Sequence, residues 1–370
     1  MKDILAERLL AKVMNWEPAD ISKERPILQA LATYKYDEYT QFKPGMRFVE
    51  SLALWLNQFE TIEERKTAYE FIRTQLVFIS NEEMEHLVTI AYPDYIKPFL
   101  IKQIAKQKKE SEVYIKRIAN TVEFKTILRQ SLFLGLSDGA RMDLFRRNNL
   151  EVSYEQVWQT YEISDEKAED MLANLSLDLE KYLNRKPNDD ENKFKTLFLI
   201  DDFSGSGLSY LRKENEEFAG KLNKIFTRIC SSDDTLKSIV SDDLSVCILL
   251  YIATSQALSH LREYTQKWFE INQKQINCSV HAIQEISDET KVSDGSELMD
   301  ILIKYFDETI IDNHIQKGRI EKPYLGFDEC ALPVILNHNT PNNSLPILWF
   351  DEPRKYRGLF PRVSRHRRKE

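Results

Sequence analysis

No stretch of this 370-residue chain approaches the roughly 20 consecutive apolar residues needed to cross a bilayer. The opening residues, Met1-Lys2-Asp3-Ile4-Leu5-Ala6-Glu7-Arg8, set acids among apolar side chains. They lack the basic head and apolar middle of a secretory signal, so a cytoplasmic protein without a membrane partner is expected. Cys230, Cys247, Cys278 and Cys330 stand far apart with no CxxC pair, which leaves buried, reduced thiols as the expectation rather than a zinc site. Cys278 and His281 form a CxxH half-site that no second half follows. His260, His281, His314 and His338 are scattered and read as structural histidines. No Lys-Ser or Lys-Thr follows the glycines of Gly205-Ser206-Gly207, which excludes a Walker A loop.

What is present fits a globular protein: 42% hydrophobic and 30% charged residues are ordinary values, and this length suggests two domains. The net charge of −8 is unevenly spread. From Arg354 to Glu370 eight basic residues face one acid, a local +7, which leaves −15 for residues 1–353. Such a basic tail suits nucleic acid or an acidic protein partner, or simply a solvated terminus.

Residues 1–125 read as a helical domain. Phe48, Leu52, Trp55 and Phe59 recur at helical spacing. The pattern Ser80-x-x-Glu83 is a capping box opening a helix that Pro93 should end. A further helix, basic at Lys102, Lys106, Lys108 and Lys109, leads towards Arg129. From about residue 126 to 353, short apolar runs alternate with helices. Leu132–Leu136, Leu197–Ile200 and Val246–Ile252 are buried-strand candidates, with a helical insertion at about 151–192. Strands separated by helices imply a mainly parallel α/β sheet, whose ligand lies beyond the carboxyl ends of the strands. The turn Ser137-Asp138-Gly139-Ala140 and the pair Asp201-Asp202 fall at those ends.

The chemistry concentrates in Phe198-Leu199-Ile200-Asp201-Asp202-Phe203-Ser204-Gly205-Ser206-Gly207-Leu208-Ser209. An apolar strand delivers two carboxylates, and a run of small residues then turns tightly towards an expected helix carrying Leu211, Phe218, Leu222 and Ile225. Successive N–H groups in such a turn cradle an anion. Ser204, Ser206 and Ser209 add hydroxyls, and the carboxylates suit ribose hydroxyls. A 5′-phosphorylated ribose satisfies both halves.

This stretch resembles the PRPP loop of type I phosphoribosyltransferases. Asp201 and Asp202 stand at that family's acidic pair, and Ser206, Gly207 and Ser209 at its phosphate-loop positions. Gly205-Ser206 replaces the Thr-Thr of many members. About sixty residues upstream, Ser137-Asp138-Gly139-Ala140-Arg141 stands where that family has its pyrophosphate loop. The wider layout resembles the PRTase-CE proteins of bacterial conflict and anti-phage loci, through the helical N-terminal region, Leu136–Arg141 and Asn339-Thr340-Pro341-Asn342-Asn343-Ser344-Leu345-Pro346-Ile347-Leu348-Trp349.

The resemblance implies a phosphoribosyltransferase-type fold over about residues 45–350. It implies binding of PRPP or a related phosphoribosyl nucleotide with Mg²⁺ that no protein side chain holds directly, and a role in defence. Asp201 and Asp202 would steady the ribose as the catalytic pair. Ser204, Gly205, Ser206, Gly207 and Ser209 would cradle the 5′-phosphate, and Ser137, Asp138, Gly139 and Arg141 would meet pyrophosphate. Asn342 and Asn343 are candidates for the base side. Two other readings stay open. One is a non-catalytic nucleotide sensor or scaffold in a defence complex. The other is a SAM-dependent methyltransferase, because Phe203-Ser204-Gly205-Ser206-Gly207 also fits that class's F-x-G-x-G motif. Against the latter, the next strand ends Ile252-Ala253-Thr254 with no acid for the cofactor ribose, and no Asp/Asn-Pro-Pro-Tyr occurs in the chain.

Overall fold

The computed structural model describes residues 3–313, 315–350 and 355–362. The chain forms two units, Glu85–Ile286 and a split unit made of Met1–Met84 with Ser287–Glu370. This division differs from the expected boundary near residue 125. The helices Lys97–Lys108 and Val122–Arg129 belong with the sheet, and the segment after residue 286 returns to the N-terminal helices. Among the described residues no helix is long and apolar enough to cross a membrane.

In the continuous unit, five strands pair in parallel: β1 (Ser131–Gly135), β2 (Val157–Trp158), β3 (Phe194–Ser204), β4 (Val240–Thr254) and β5 (Asn277–Ile286). Their spatial order is β2-β1-β3-β4-β5. The main helices between them are α1 (Met142–Asn148), α2 (Asp165–Leu183), α3 (Lys221–Cys230) and α4 (Ser255–Ile271), with a short turn of helix, Thr235–Ile239, before β4. Parallel neighbours require crossovers long enough to hold a helix, and each of these connections contains one.

Successive strand side chains point to opposite faces. Leu132 and Leu134 of β1, Leu197 and Leu199 of β3, and Val246, Ile248 and Leu250 of β4 share a core with Met171 and Leu175 of α2, Leu222 and Ile225 of α3, and Leu261 and Trp268 of α4. The aromatic residues at alternate positions cover the other face. Phe133 and Phe198 stack at 5.0 Å, Phe145 of α1 lies 5.4 Å from Phe133, and Phe99 of the helix Lys97–Lys108 meets Phe198 edge-on at 5.6 Å. Two strands go beyond the sequence reading: β2 is too short for a periodic signal, and β5 (Asn-Cys-Ser-Val-His-Ala-Ile-Gln-Glu-Ile) is a mixed-polarity edge strand.

The helix expected directly after the Ser/Gly run is replaced by a two-stranded hairpin, Arg212–Glu214 against Glu217–Ala219. Its turn residues Asn215 and Glu216 both take positive φ, and α3 starts only at Lys221. Pro93 also behaves differently from expectation. The helix capped by Ser80 and Glu83 passes through a π-helical stretch, Ala91–Ile96, into Lys97–Lys108. The wide turn absorbs the hydrogen bond that proline cannot donate.

The split unit is closed by residues remote in sequence. The strand Val77–Ile79 pairs in parallel with Val334–Leu336. Phe360, fully buried, packs against the rings of Tyr36, Tyr39, Phe42, Phe48 and Phe78 at 5.2–5.9 Å, and Leu359 is equally buried. Part of the expected basic tail is therefore core, while residues 351–354 and 363–370 lie outside the described residues. Removing 354–370 should unfold this unit, in contrast to the dispensable tail that charge alone suggests. The milder Phe360→Ala should cost about 3–5 kcal/mol, read by urea denaturation. An unchanged midpoint would show that the ring cluster does not hold this unit together.

Candidate functional site

In an open sheet of this strand order, the first and third strands flank the topological switch point, and ligands enter the crevice beyond their carboxyl ends. Two loops occupy that place here, Leu136–Arg141 after β1 and Gly205–Leu211 after β3. The Leu136 N–H donates to the Ile200 carbonyl at 2.9 Å, so the first loop stays tied to β3 as it leaves the sheet.

The two acids at the end of β3 separate because adjacent strand residues face opposite ways. Asp201 follows Leu197 and Leu199 to the side covered by α2, α3 and α4, and has no exposed surface. Its Oδ2 accepts from the Tyr210 hydroxyl at 2.7 Å and from Lys221 Nζ at 2.7 Å. Its Oδ1 accepts from the Ser137 hydroxyl and from the Asp202 N–H. One carboxylate thus joins both loops, β3 and the start of α3. Asp202 points to the other side and remains half-buried. Its Oδ1 accepts from the Phe203 N–H at 2.9 Å, and its carboxylate lies so close to Gly139 that any Cβ there would collide with it. Gly139 is required for this approach of loop to carboxylate.

Beyond Ser204 the chain turns through Gly205, Ser206 and Gly207. Gly207 has φ +82°, and a Cβ there would lie 2.8 Å from His260 Cδ2 and 3.3 Å from the Ala257 carbonyl oxygen, both on α4. The loop is fastened from that helix. Thr254, the N-cap of α4, donates its hydroxyl to the Gly205 carbonyl at 2.5 Å and accepts from the Ala257 N–H at 3.0 Å. His260 Nε2 lies 2.7 Å from the Leu211 carbonyl. Tyr210 and Leu211 donate their N–H groups back to the Gly207 carbonyl at 3.0 and 3.1 Å. Among the described residues, the N–H groups of Ser206, Gly207 and Ser209 donate to no protein acceptor, and the buried Ser204 hydroxyl has no partner. Unsatisfied donors gathered in one turn, buried at Ser204, Ser206 and Gly207 and open to solvent at Ser209, suit an anion. No helix N-terminus follows directly, so the cradle consists of loop amides and hydroxyls alone.

Charge around the pair is finely balanced. Burial pushes the Asp201 carboxyl up and the neighbouring Asp202 charge pushes it further, while Lys221 and the Ser137 hydroxyl pull it down; the result is a raised pKa. Burial and the same two acids raise the Tyr210 phenol far out of its ordinary range. Lys221 also sits 4.9 Å over the Tyr210 ring. Tyr251 of β4, buried and raised by burial, donates to the Ala140 carbonyl at 2.7 Å and holds the first loop from the opposite strand.

The structure brings together Ser137, Asp138, Gly139, Arg141, Asp201, Asp202 and the Ser204–Ser209 loop in one unit. Arg141 adopts φ +47° at the start of α1, and the Ser209 side chain is exposed. Asn342 and Asn343 belong to the split unit. There the Asn343 amide donates to the Phe327 carbonyl and Cys330 Sγ, and the Asn342 carbonyl accepts from the Phe327 N–H. Sequence reading missed Tyr210, Lys221, Tyr251 and Thr254. Tyr210 directly follows the motif and was open to notice. Lys221 was hidden by the misassigned helix, since only the hairpin brings the chain back to Asp201.

The folded chain holds the Asp201 proton more tightly than the unfolded one, so the contribution to stability is present below the ordinary value of 3.8 and is lost as pH rises through the raised folded value. Lys221→Met leaves a buried carboxylate without its cation. It should cost about 3 kcal/mol at pH 7 and less in acid, where Asp201 takes up its proton. Asp201→Asn should remove the acid-side slope. Urea midpoints across pH test both; a Lys221→Met chain as stable as the parent at pH 7 would contradict the role given to the pair.

A family model, PRTase-CE, matches residues 52–362. No curated protein and no solved structure matches the chain. The matched span takes in β1 to β5 and both loops at the switch point. With more than half of its length matched, this chain, whose candidate site lies between Ser137 and Ser209, belongs to the PRTase-CE family and carries a phosphoribosyltransferase-like domain.

Proposed function

We propose that the loops after β1 and β3 bind a 5′-phosphorylated ribose, PRPP or a related phosphoribosyl nucleotide, as in type I phosphoribosyltransferases. The observation that carries this reading is the turn in which the amides of the buried Ser206 and Gly207 and the buried Ser204 hydroxyl have no protein partner among the described residues, with the free Ser209 amide at its exposed edge. A phosphate would satisfy those donors at once. Asp202, against the Gly139 backbone, is the carboxylate assigned to the ribose hydroxyls, and Ser137–Arg141 the loop assigned to pyrophosphate. Asp201 acts from behind as a positioning group, fixing the distance between the loops.

Magnesium fits this arrangement as a passenger of the ligand. Among the described residues no cluster of three or more His, Cys, Asp or Glu side chains is placed to hold a metal, and Mg²⁺ commonly relies on phosphate oxygens and water with one or two carboxylates. Asp202 and Asp138 are the carboxylates at hand. When bound, Mg²⁺ would neutralise pyrophosphate charge and ease its departure from the anomeric carbon. Asp202 would then steady the positive charge that develops on the ribose.

A non-catalytic sensor is the second reading, and one observation favours it. With Asp201 buried and fully engaged, a single carboxylate of the pair is left for the sugar. Pyrophosphate release from PRPP, assayed against a panel of bases and nucleotides, separates enzyme from sensor. The methyltransferase reading is weakened at Thr254. The strand-end position where that class carries an acid is filled by a hydroxyl that fastens the Gly205 carbonyl. A role in bacterial anti-phage defence, in a cytoplasmic setting, completes the proposal and rests on family membership.

PRPP with Mg²⁺ should raise the melting temperature, and S-adenosylmethionine should not. Asp202→Asn keeps the size but loses a charge-assisted hydrogen bond of roughly 1.5–3 kcal/mol. It should therefore weaken binding about ten- to a hundredfold in calorimetry. Gly207→Val should abolish binding, since its Cβ meets His260 and its φ is left-handed. Tight, magnesium-independent S-adenosylmethionine binding would overturn the assignment.

A further inference from the structure

The sheet face that carries Phe198 is incompletely roofed. Between β3–β5 and the helix Lys97–Lys108 lies a cavity of about 670 Å³, lined at its floor by Phe198, Cys247 and Leu249 and on the helix side by Phe99 and Ile101. The volume falls in the range of small-molecule sites, which are mostly apolar with a few placed polar groups. Val113 and Ile115 also border the cavity, and they are 72% and 54% exposed, so large apolar side chains stand in water at its edge.

The charge pattern narrows the ligand. Lys102 and Lys106 both line the cavity and stand one helical turn apart, on one side of their helix. Neighbouring bases are engaged, Lys97 with Glu151, Lys108 with Glu123 and Arg117 with Glu110. Among the described residues Lys102 and Lys106 form no ion pair. Burial holds the imidazole of His281, another lining residue, towards the neutral form, with the Arg262 and then the Lys102 charge adding to it. Two exposed carboxylates, Asp94 and Glu112, border the cavity from the turn before the helix and the segment after it. A ligand's negative end therefore belongs on the Lys102–Lys106 side.

We propose that this cavity is a second ligand site, separate from the switch-point loops, for a small amphipathic anion: an aromatic or aliphatic body against Phe99, Phe198 and Leu249, and a carboxylate or sulfonate at Lys102 and Lys106. The site shares β3 with Asp202, four residues beyond Phe198, yet none of its lining residues belongs to either loop. It stands whether or not the loops bind PRPP.

The test uses the full chain and a pair of probes, 8-anilinonaphthalene-1-sulfonate and its uncharged relative N-phenyl-1-naphthylamine. The sulfonate should bind at one saturable site, with fluorescence enhancement that inorganic phosphate does not reverse. The double variant Lys102→Glu/Lys106→Glu alters only exposed side chains, and near-ultraviolet circular dichroism checks its packing. It should bind the sulfonate at least tenfold more weakly and the uncharged dye as well as the parent does. Equal sulfonate affinity in both proteins, loss of both dyes together in a folded variant, or no saturable binding by the parent would each overturn the proposal.

Discussion

The carboxylate of Asp201 is the interaction on which the site depends. It is fully buried and accepts hydrogen bonds from Ser137 in the first loop, Tyr210 beyond the second, and Lys221 at the head of α3. A charge in that position is costly unless paired and hydrogen-bonded, and here the pairing partners come from the segments whose spacing must be set. The single Tyr210 hydroxyl proton is shared, with the Phe203 carbonyl a second acceptor at 3.0 Å beside Asp201 Oδ2 at 2.7 Å. Losing the Ser137 bond frees the first loop and losing Lys221 leaves a buried charge without its cation, so the loops and the core are coupled energetically. The hairpin Arg212–Ala219 makes the arrangement possible, because it carries the chain out and returns Lys221 to the strand end.

From the other side, α4 and β4 hold what Asp201 does not. Thr254 and His260 fasten the second loop through the Gly205 and Leu211 carbonyls, and Tyr251 fastens the first through Ala140. Among the described residues the amides left over face no protein acceptor, an arrangement costly where buried in an empty site and favourable around an anion. Preorganisation of this kind concentrates binding on donors already in place. The glycines follow the same logic: Gly139 admits Asp202, and Gly207 admits α4.

The strands that hold the motif were legible because buried parallel strands are continuous apolar runs, and Leu132–Leu136, Leu197–Ile200 and Val246–Ile252 each lie on or overlap β1, β3 and β4. The turn at Ser137 and the Ser/Gly loop were legible for the same reason, being abrupt breaks after such runs. Three features were not. The alternation that sends Asp201 inward and Asp202 outward depends on strand β3 continuing to Ser204, past the point where its apolar run stops. The hairpin after the loop carries Phe218, which also fits a helical spacing with Leu211, Leu222 and Ile225. The return of residues 287–362 to the N-terminal helices rests on contacts such as Tyr36 with Phe360, separated by most of the chain and invisible to local pattern.

The two loops at the switch point are proposed to form one phosphate-ribose site. The chain has ten glycines, so ¹⁵N-glycine labelling yields a spectrum sparse enough to assign by substitution. On titration with PRPP and Mg²⁺, the amides of Gly139, Gly205 and Gly207 should shift together with one saturation curve, while Gly45 and Gly295, whose surroundings are open, stay in place. Saturating ligand that leaves those three signals unmoved would contradict the account.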